Sequence, residues 1–100
     1  MKEKEITIIV VEPGKQPEVT KIKNELKPMQ EIVGGYIETV GLGGNIILIC
    51  NEEGLLMNLP ANRKVAGNSI VGTFFITKAD GEDFTSLTKT EINIIMRLIE

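Results

Sequence analysis

The run Ile6-Thr7-Ile8-Ile9-Val10-Val11 carries a β-branched side chain at every position. Such side chains pack well on a pleated surface, and with both alternate faces apolar the run predicts a strand covered on both sides. Glu12-Pro13-Gly14-Lys15 stops it with turn chemistry, proline presetting φ and glycine supplying the awkward dihedral. Residues 18–23 (EVTKIK) alternate more weakly and carry lysines, which suits a second strand at a sheet edge. Asn24 to Val33 reads as a short helix, about 25–33. Leu26, Met29, Ile32 and Val33 fall at helical spacing, Pro28 sits in the first turn, and Gly34 is the stop.

Tyr36 to Val40 predicts a strand, Gly41-Leu42-Gly43-Gly44-Asn45 a turn, and Ile46 to Cys50 a second wholly apolar strand. Asn51-Glu52-Glu53-Gly54 is expected to turn the chain into a short strand at Leu55–Met57, with Leu59 to Ser69 irregular. Ile70 to Thr77 reads as a third buried strand broken only by Gly72. Its Phe74 and Phe75 point to opposite faces, one of them to the core. Asp80-Gly81-Glu82-Asp83 is an acidic turn. Thr88-Lys89-Thr90-Glu91 matches a capping box, and Ile92, Ile95, Met96 and Ile99 follow on one helical face over 89–99. The expected architecture is α+β: one domain over residues 1–100, with two helices and a mostly antiparallel sheet of about five or six strands.

Composition narrows the chemistry. In 100 residues there is no histidine, no tryptophan and a single cysteine, Cys50. Histidine triads, His-rich metal sites and an internal disulfide are thereby excluded. Cys50 closes an apolar run and is expected to be a buried free thiol with no histidine to lower its pKa. A net charge of −3, from 11 basic and 14 acidic groups, is too balanced for a nucleic-acid binder. No stretch is long and apolar enough to span a bilayer, and the N-terminus lacks a signal-peptide cleavage pattern; the expectation is a cytoplasmic protein.

Five motifs follow one another in fixed order. They are Val11-Glu12-Pro13-Gly14, Val33-Gly34-Gly35-Tyr36-Ile37-Glu38, Cys50-Asn51-Glu52-Glu53-Gly54, Leu59-Pro60-Ala61-Asn62-Arg63 and Ile70-Val71-Gly72-Thr73-Phe74-Phe75-Ile76. Across roughly residues 7 to 90 the chain resembles a small domain-of-unknown-function family of clostridial and other Firmicute chromosomes, phages and plasmids. The resemblance implies an accessory gene, one that blunts host defence, and brings with it no catalytic activity or cofactor. Where that family has a longer acidic stretch after Leu-Pro-x-Asn-Arg, this chain has only Lys64-Val65-Ala66-Gly67-Asn68-Ser69.

Each polar candidate has a bland counterpart. Gly41–Asn45 is no phosphate cradle, because a strand and not a helix follows it. The acidic turn lacks the spacing of a calcium loop. Glu52 and Glu53 have no partner across a cleft, and Asn51 suits a local Asx-turn. Arg63 is one of two arginines, the other being Arg97 on the last helix, and it lies in a loop. Its guanidinium can fork onto a phosphate or, equally, tie the loop to carbonyls and carboxylates. Tyr36 beside Gly34-Gly35 offers a flat stacking face, and Thr73 needs a hydrogen-bond partner if buried.

The leading expectation is a non-catalytic protein of a phage or mobile element that binds a small, anionic, nucleotide-like ligand through Arg63, Asn62, Tyr36, Asn51 and Thr73. It would sequester a host immune signal from a pocket between protomers of a homo-oligomer, with no metal or cofactor. The second expectation is a protein–protein inhibitor or adaptor that binds a bacterial host protein directly, through an exposed apolar patch or a free sheet edge.

Overall fold

A computed structural model describes residues 3–99. Eight strands and two helices follow in the order β1 (Glu5–Val11), β2 (Glu18–Lys23), α1 (Leu26–Val33), β3 (Ile37–Gly43), β4 (Ile46–Asn51), β5 (Ala61–Val65), β6 (Asn68–Val71), β7 (Phe74–Asp80), β8 (Asp83–Thr85) and α2 (Lys89–Leu98). The α+β expectation holds. One antiparallel sheet has the order β2-β1-β7-β4-β3, with β8 paired to β7, and β5-β6 form a separate hairpin. No helix among the described residues is long and apolar enough to cross a membrane.

The sheet is covered on both faces because its three inner strands are apolar at consecutive positions. Ile9, Ile76 and Leu48 pair across β1, β7 and β4 as one row, and Val10, Phe75 and Ile49 form the next. Neighbouring positions on a strand point to opposite faces, so the two rows enter two different cores. One core gathers Ile6, Ile8, Ile49 and Phe75 beneath Met29 and Val33 of α1. The other gathers Ile9, Leu48, Phe74 and Ile76 beneath Ile95 of α2 and Ile99 just after it, together with Val65 and Ile70 of the hairpin. Phe74 and Phe75 are both fully buried, correcting the expectation that only one enters a core.

Four further expectations change. Residues 70–77 are two strands in two sheets rather than one. Gly72 is the corner between them, at φ +75°, and a Cβ there would lie 2.6 Å from Leu59 Cδ1 and 3.3 Å from Leu59 Cβ. An L-residue is strained at that φ and has no room beside Leu59. The stretch 59–69, expected to be irregular, forms the hairpin, because Val65 and Ile70 find an apolar face to cover. Residues 55–57 form no strand; 52–58 are turns. Helix α1 starts at Leu26 instead of Asn24, whose side-chain amide donates to the Glu3 and Phe84 carbonyls and so belongs to the sheet.

The turn expected at 41–45 narrows to Gly44-Asn45, with β3 running on to Gly43 past an irregularity in register between Gly41 and Gly43. β2 lies at a sheet edge, as its lysines suggested. The capping box of α2 forms, Thr88 Oγ1 accepting from the Glu91 N–H and Glu91 Oε1 from the Thr88 N–H. That Thr88 N–H bond, helped by Lys78 Nζ at 3.2 Å, holds the Glu91 carboxyl below its ordinary pKa.

Two predictions follow from these contacts. Gly72→Ala should lower the urea midpoint by the equivalent of about 2–3 kcal/mol. Gly81→Ala, at φ +63° with open space around it, should cost only about 1 kcal/mol. Equal losses would mean that Leu59 moves aside freely. Glu91, depressed in the folded state, contributes stability above its unfolded pKa that is lost as pH falls through its folded value. Glu91→Gln should therefore flatten part of the fall in Tm below about pH 4, and an unchanged Tm-against-pH curve would refute the cap's share.

Candidate functional site

The five candidate residues separate into two groups. Asn62 and Arg63, at the start of β5, form a clasp around the corner. Asn62 Nδ2 donates to the carbonyls of Val11 at 3.0 Å and Gly72 at 2.8 Å, while its Oδ1 accepts from Arg63 Nε at 3.1 Å. Arg63 Nη1 donates to the Ile99 carbonyl at 3.0 Å and Nη2 to the Lys15 carbonyl at 2.7 Å. Both hydrogens of the Asn62 amide group are spent within the chain, and so is its oxygen. The arginine fork closes on main-chain carbonyls, tying the loop after β1 and the end of α2 to the hairpin. Thr73, half-buried, follows the corner that this clasp fixes.

Asn51 and Tyr36 belong to the second group, built on the turn after β4. Asn51 is buried; its Nδ2 donates to the Val33 carbonyl at 3.0 Å and lies 3.5 Å from Met57 Sδ. Its Oδ1 accepts from the Glu53 N–H at 2.8 Å, which is the expected Asx-turn. The main chain then closes on itself. Gly54 N–H reaches the Asn51 carbonyl, Met57 N–H the Glu53 carbonyl and Leu59 N–H the Gly54 carbonyl. Glu52 N–H donates to the Tyr36 carbonyl at 2.8 Å, fastening the turn to the start of β3. A Cβ on Gly54 would lie 2.8 Å from Val71 Cγ2, so the turn sits hard against β6.

This tightly bonded turn holds apolar side chains out to solvent. Leu55 is 80% exposed, Leu56 83%, Met57 49% and Tyr36 65%. Behind Leu55 and Leu56 lies a groove of about 360 Å3, bounded on the other side by Ile70 and Val71. Glu38, Glu52 and Glu53 stand along it, and among the described residues no lysine or arginine lines it. Cys50 at its floor is a free thiol, buried as expected, with its pKa raised first by that burial and then by Glu38 opposite it on β3. Of the five candidates only Asn51 lines this groove. Leu55 and Leu56 escaped sequence reasoning because three apolar residues after a turn resemble a strand. The Asn51-Glu52-Glu53-Gly54 signal pointed to the turn and not to what it displays.

Fold and turn together define a small α+β domain in which a heavily braced turn displays leucines beside an acid-lined groove. The chain belongs to the DUF3846 family, a domain of unknown function, whose model matches residues 6–100. No curated protein and no solved structure matches it.

Replacing Asn51 by alanine leaves the buried Val33 carbonyl and the Glu53 N–H without their partners. We expect a loss of about 1–3 kcal/mol in urea unfolding, with faster amide exchange at Glu53. Unchanged exchange there would show that the main chain alone shapes the turn.

Proposed function

We propose that this domain is a non-catalytic protein-binding module that meets its partner with the 51–58 turn. The observation that carries the reading is the display of Leu55 and Leu56, at least four-fifths exposed at adjacent positions of a turn bonded from several directions. Single exposed apolar residues are common on any protein surface. Adjacent leucines held in a fixed conformation differ, because a pre-ordered apolar anchor loses little entropy on docking. Glu38, Glu52 and Glu53 add an acidic border, which favours a partner with an apolar contact flanked by basic groups.

A small anionic ligand is the weaker reading. Arg63, its intended anchor, already donates to the Ile99 and Lys15 carbonyls, and Asn51 faces a groove bordered by carboxylates. The absence of histidine and the raised pKa of the Cys50 thiol favour binding over catalysis. An accessory role in blunting host defence, which the family resemblance implies, is compatible with a module that acts by docking alone.

The test is a tagged bait in bacterial lysate supplemented with untagged protein. Wild type should retain a polypeptide in stoichiometric amount, whether foreign or a copy of itself. Leu55→Ser/Leu56→Ser should release it while keeping the wild-type circular dichroism spectrum, since both side chains are exposed. A nucleotide panel should leave Tm unchanged, whereas a true ligand at 100 times its Kd would stabilise by about 2.7 kcal/mol. Retention of nothing, with a nucleotide shift that Arg63→Ala abolishes, would overturn the reading in favour of the small anion.

A further inference from the structure

We infer that the partner of this surface is, in the first instance, a second copy of the chain, joined through the free edge of β3. The inference rests on reading the 51–58 turn as a docking surface and names what docks there. The sheet ends in β2 on one side and β3 on the other. β2 is guarded by exposed Lys21 and Lys23, the usual protection against unwanted pairing, whereas β3 carries no lysine, arginine or proline.

The register fixes which main-chain groups β3 presents. Glu52 N–H donates to the Tyr36 carbonyl, and Glu38 lies opposite Cys50. Hydrogen-bonded pairs alternate along an antiparallel ladder, so residues 36, 38 and 40 bond β4 while Ile37, Thr39 and Gly41 turn N–H and C=O outward. The irregularity beyond Gly41 ends the regular edge there. The outward residues are therefore centred on Thr39. A two-fold axis through Thr39 lets the two Thr39 residues exchange both main-chain bonds, and sets Ile37 of each copy against Gly41 of the other. Glu38 then faces Val40 of the second copy and meets no like charge.

The same axis makes the rest of the surface self-complementary. Glu38 and Val40 share the sheet face that α2 covers, since their partners Cys50 and Leu48 lie in its core. At the Leu42 end of β3, a groove of about 310 Å3 is lined by Leu42, Ile46, Ile94 and Leu98, with Leu98 76% exposed. At the Glu38 end stand Leu55, Leu56, Glu52 and Glu53. An antiparallel pair brings the Leu42 end of each copy beside the Glu38 end of the other, on the same face. Ile94 and Leu98, with exposed Arg97 between them, then lie towards two leucines and two carboxylates. Apolar meets apolar and cation meets anion, twice across the axis.

Sedimentation of the full chain should give about twice the 11.0 kDa chain mass, falling to the monomer on dilution. Thr39→Pro removes an N–H that makes no bond to β4, so the monomer should still fold while the dimer is lost. Arg97→Glu should raise the dimer dissociation constant about tenfold, and Glu52→Arg/Glu53→Arg in the same chain should recover it. Amide exchange gives a check that needs no variant: Thr39 and Gly41 should be protected in the dimer and exchange quickly on dilution. A monomer at every concentration overturns the inference, as does a dimer whose Thr39 amide exchanges freely. If that monomeric bait still retains a lysate protein that Leu55→Ser/Leu56→Ser releases, the protein-binding reading stands while the second copy falls.

Discussion

The corner at Gly72 governs how this chain solves its covering problem. A sheet with Phe74 and Phe75 buried on opposite faces needs a layer on each side, yet the described residues form only two short helices with which to supply them. Helix α1 and the bend around it serve one face. On the other, α2 leaves the Val65–Ile70 area to the β5-β6 hairpin, which must fold over the same face that β7 enters. The chain can pass from hairpin to sheet in so few residues only because Gly72 takes a left-handed conformation against Leu59. The clasp of Asn62 and Arg63 holds that arrangement by drawing the Val11, Gly72, Lys15 and Ile99 carbonyls to one place. Their polar chemistry goes into closing the second layer.

The displayed turn is a consequence of the same packing. Gly54 lies against Val71, the last residue before the corner, and Asn51 reaches across to the end of α1. A turn wedged between the hairpin and the first helix has its inner side committed, so Leu55 and Leu56 have only solvent to face. Structure-bearing and solvent-displayed residues thus separate cleanly. Asn51, Asn62 and Arg63 hold the frame, and the leucines with their acidic border form what the frame presents.

How far this was legible in the sequence depended on where the deciding contact lay. The β-branched run of β1, the apolar β4, the lysine-marked edge of β2 and the capping box of α2 are local signals, and each element formed where its pattern placed it. Residues 59–69 failed because Pro60, Asn62, Gly67 and Asn68 read as loop punctuation. The hairpin they form is held by burial of Val65 and Ile70 against distant strands, which no local window records. Arg63 was ambiguous for the same reason: a guanidinium suits phosphate and carbonyl alike, and its acceptors lie 36 and 48 residues away. Asn51 and Tyr36 were singled out as ligand contacts by their local company with glycines and acidic residues, which marks the braced turn and not what it displays. Leu55 and Leu56 were missed because apolar residues are ordinarily assigned inward.

Displaying those leucines has an energetic meaning. Burying a leucine stabilises a fold by about 1.5–3 kcal/mol relative to leaving it exposed. A small domain has a net stability of only about 5–15 kcal/mol. A chain that leaves Leu55, Leu56 and Leu98 in water therefore forgoes a contribution comparable to that margin, while ordering the first two in a bonded turn. Both patches lie over the same lysine-free edge strand, one at each end, and the proposed two-fold pairing is what would bring them together. In the proposed dimer, association would return burial that folding alone does not supply, and the edge of β3 and the two apolar patches would be parts of one surface.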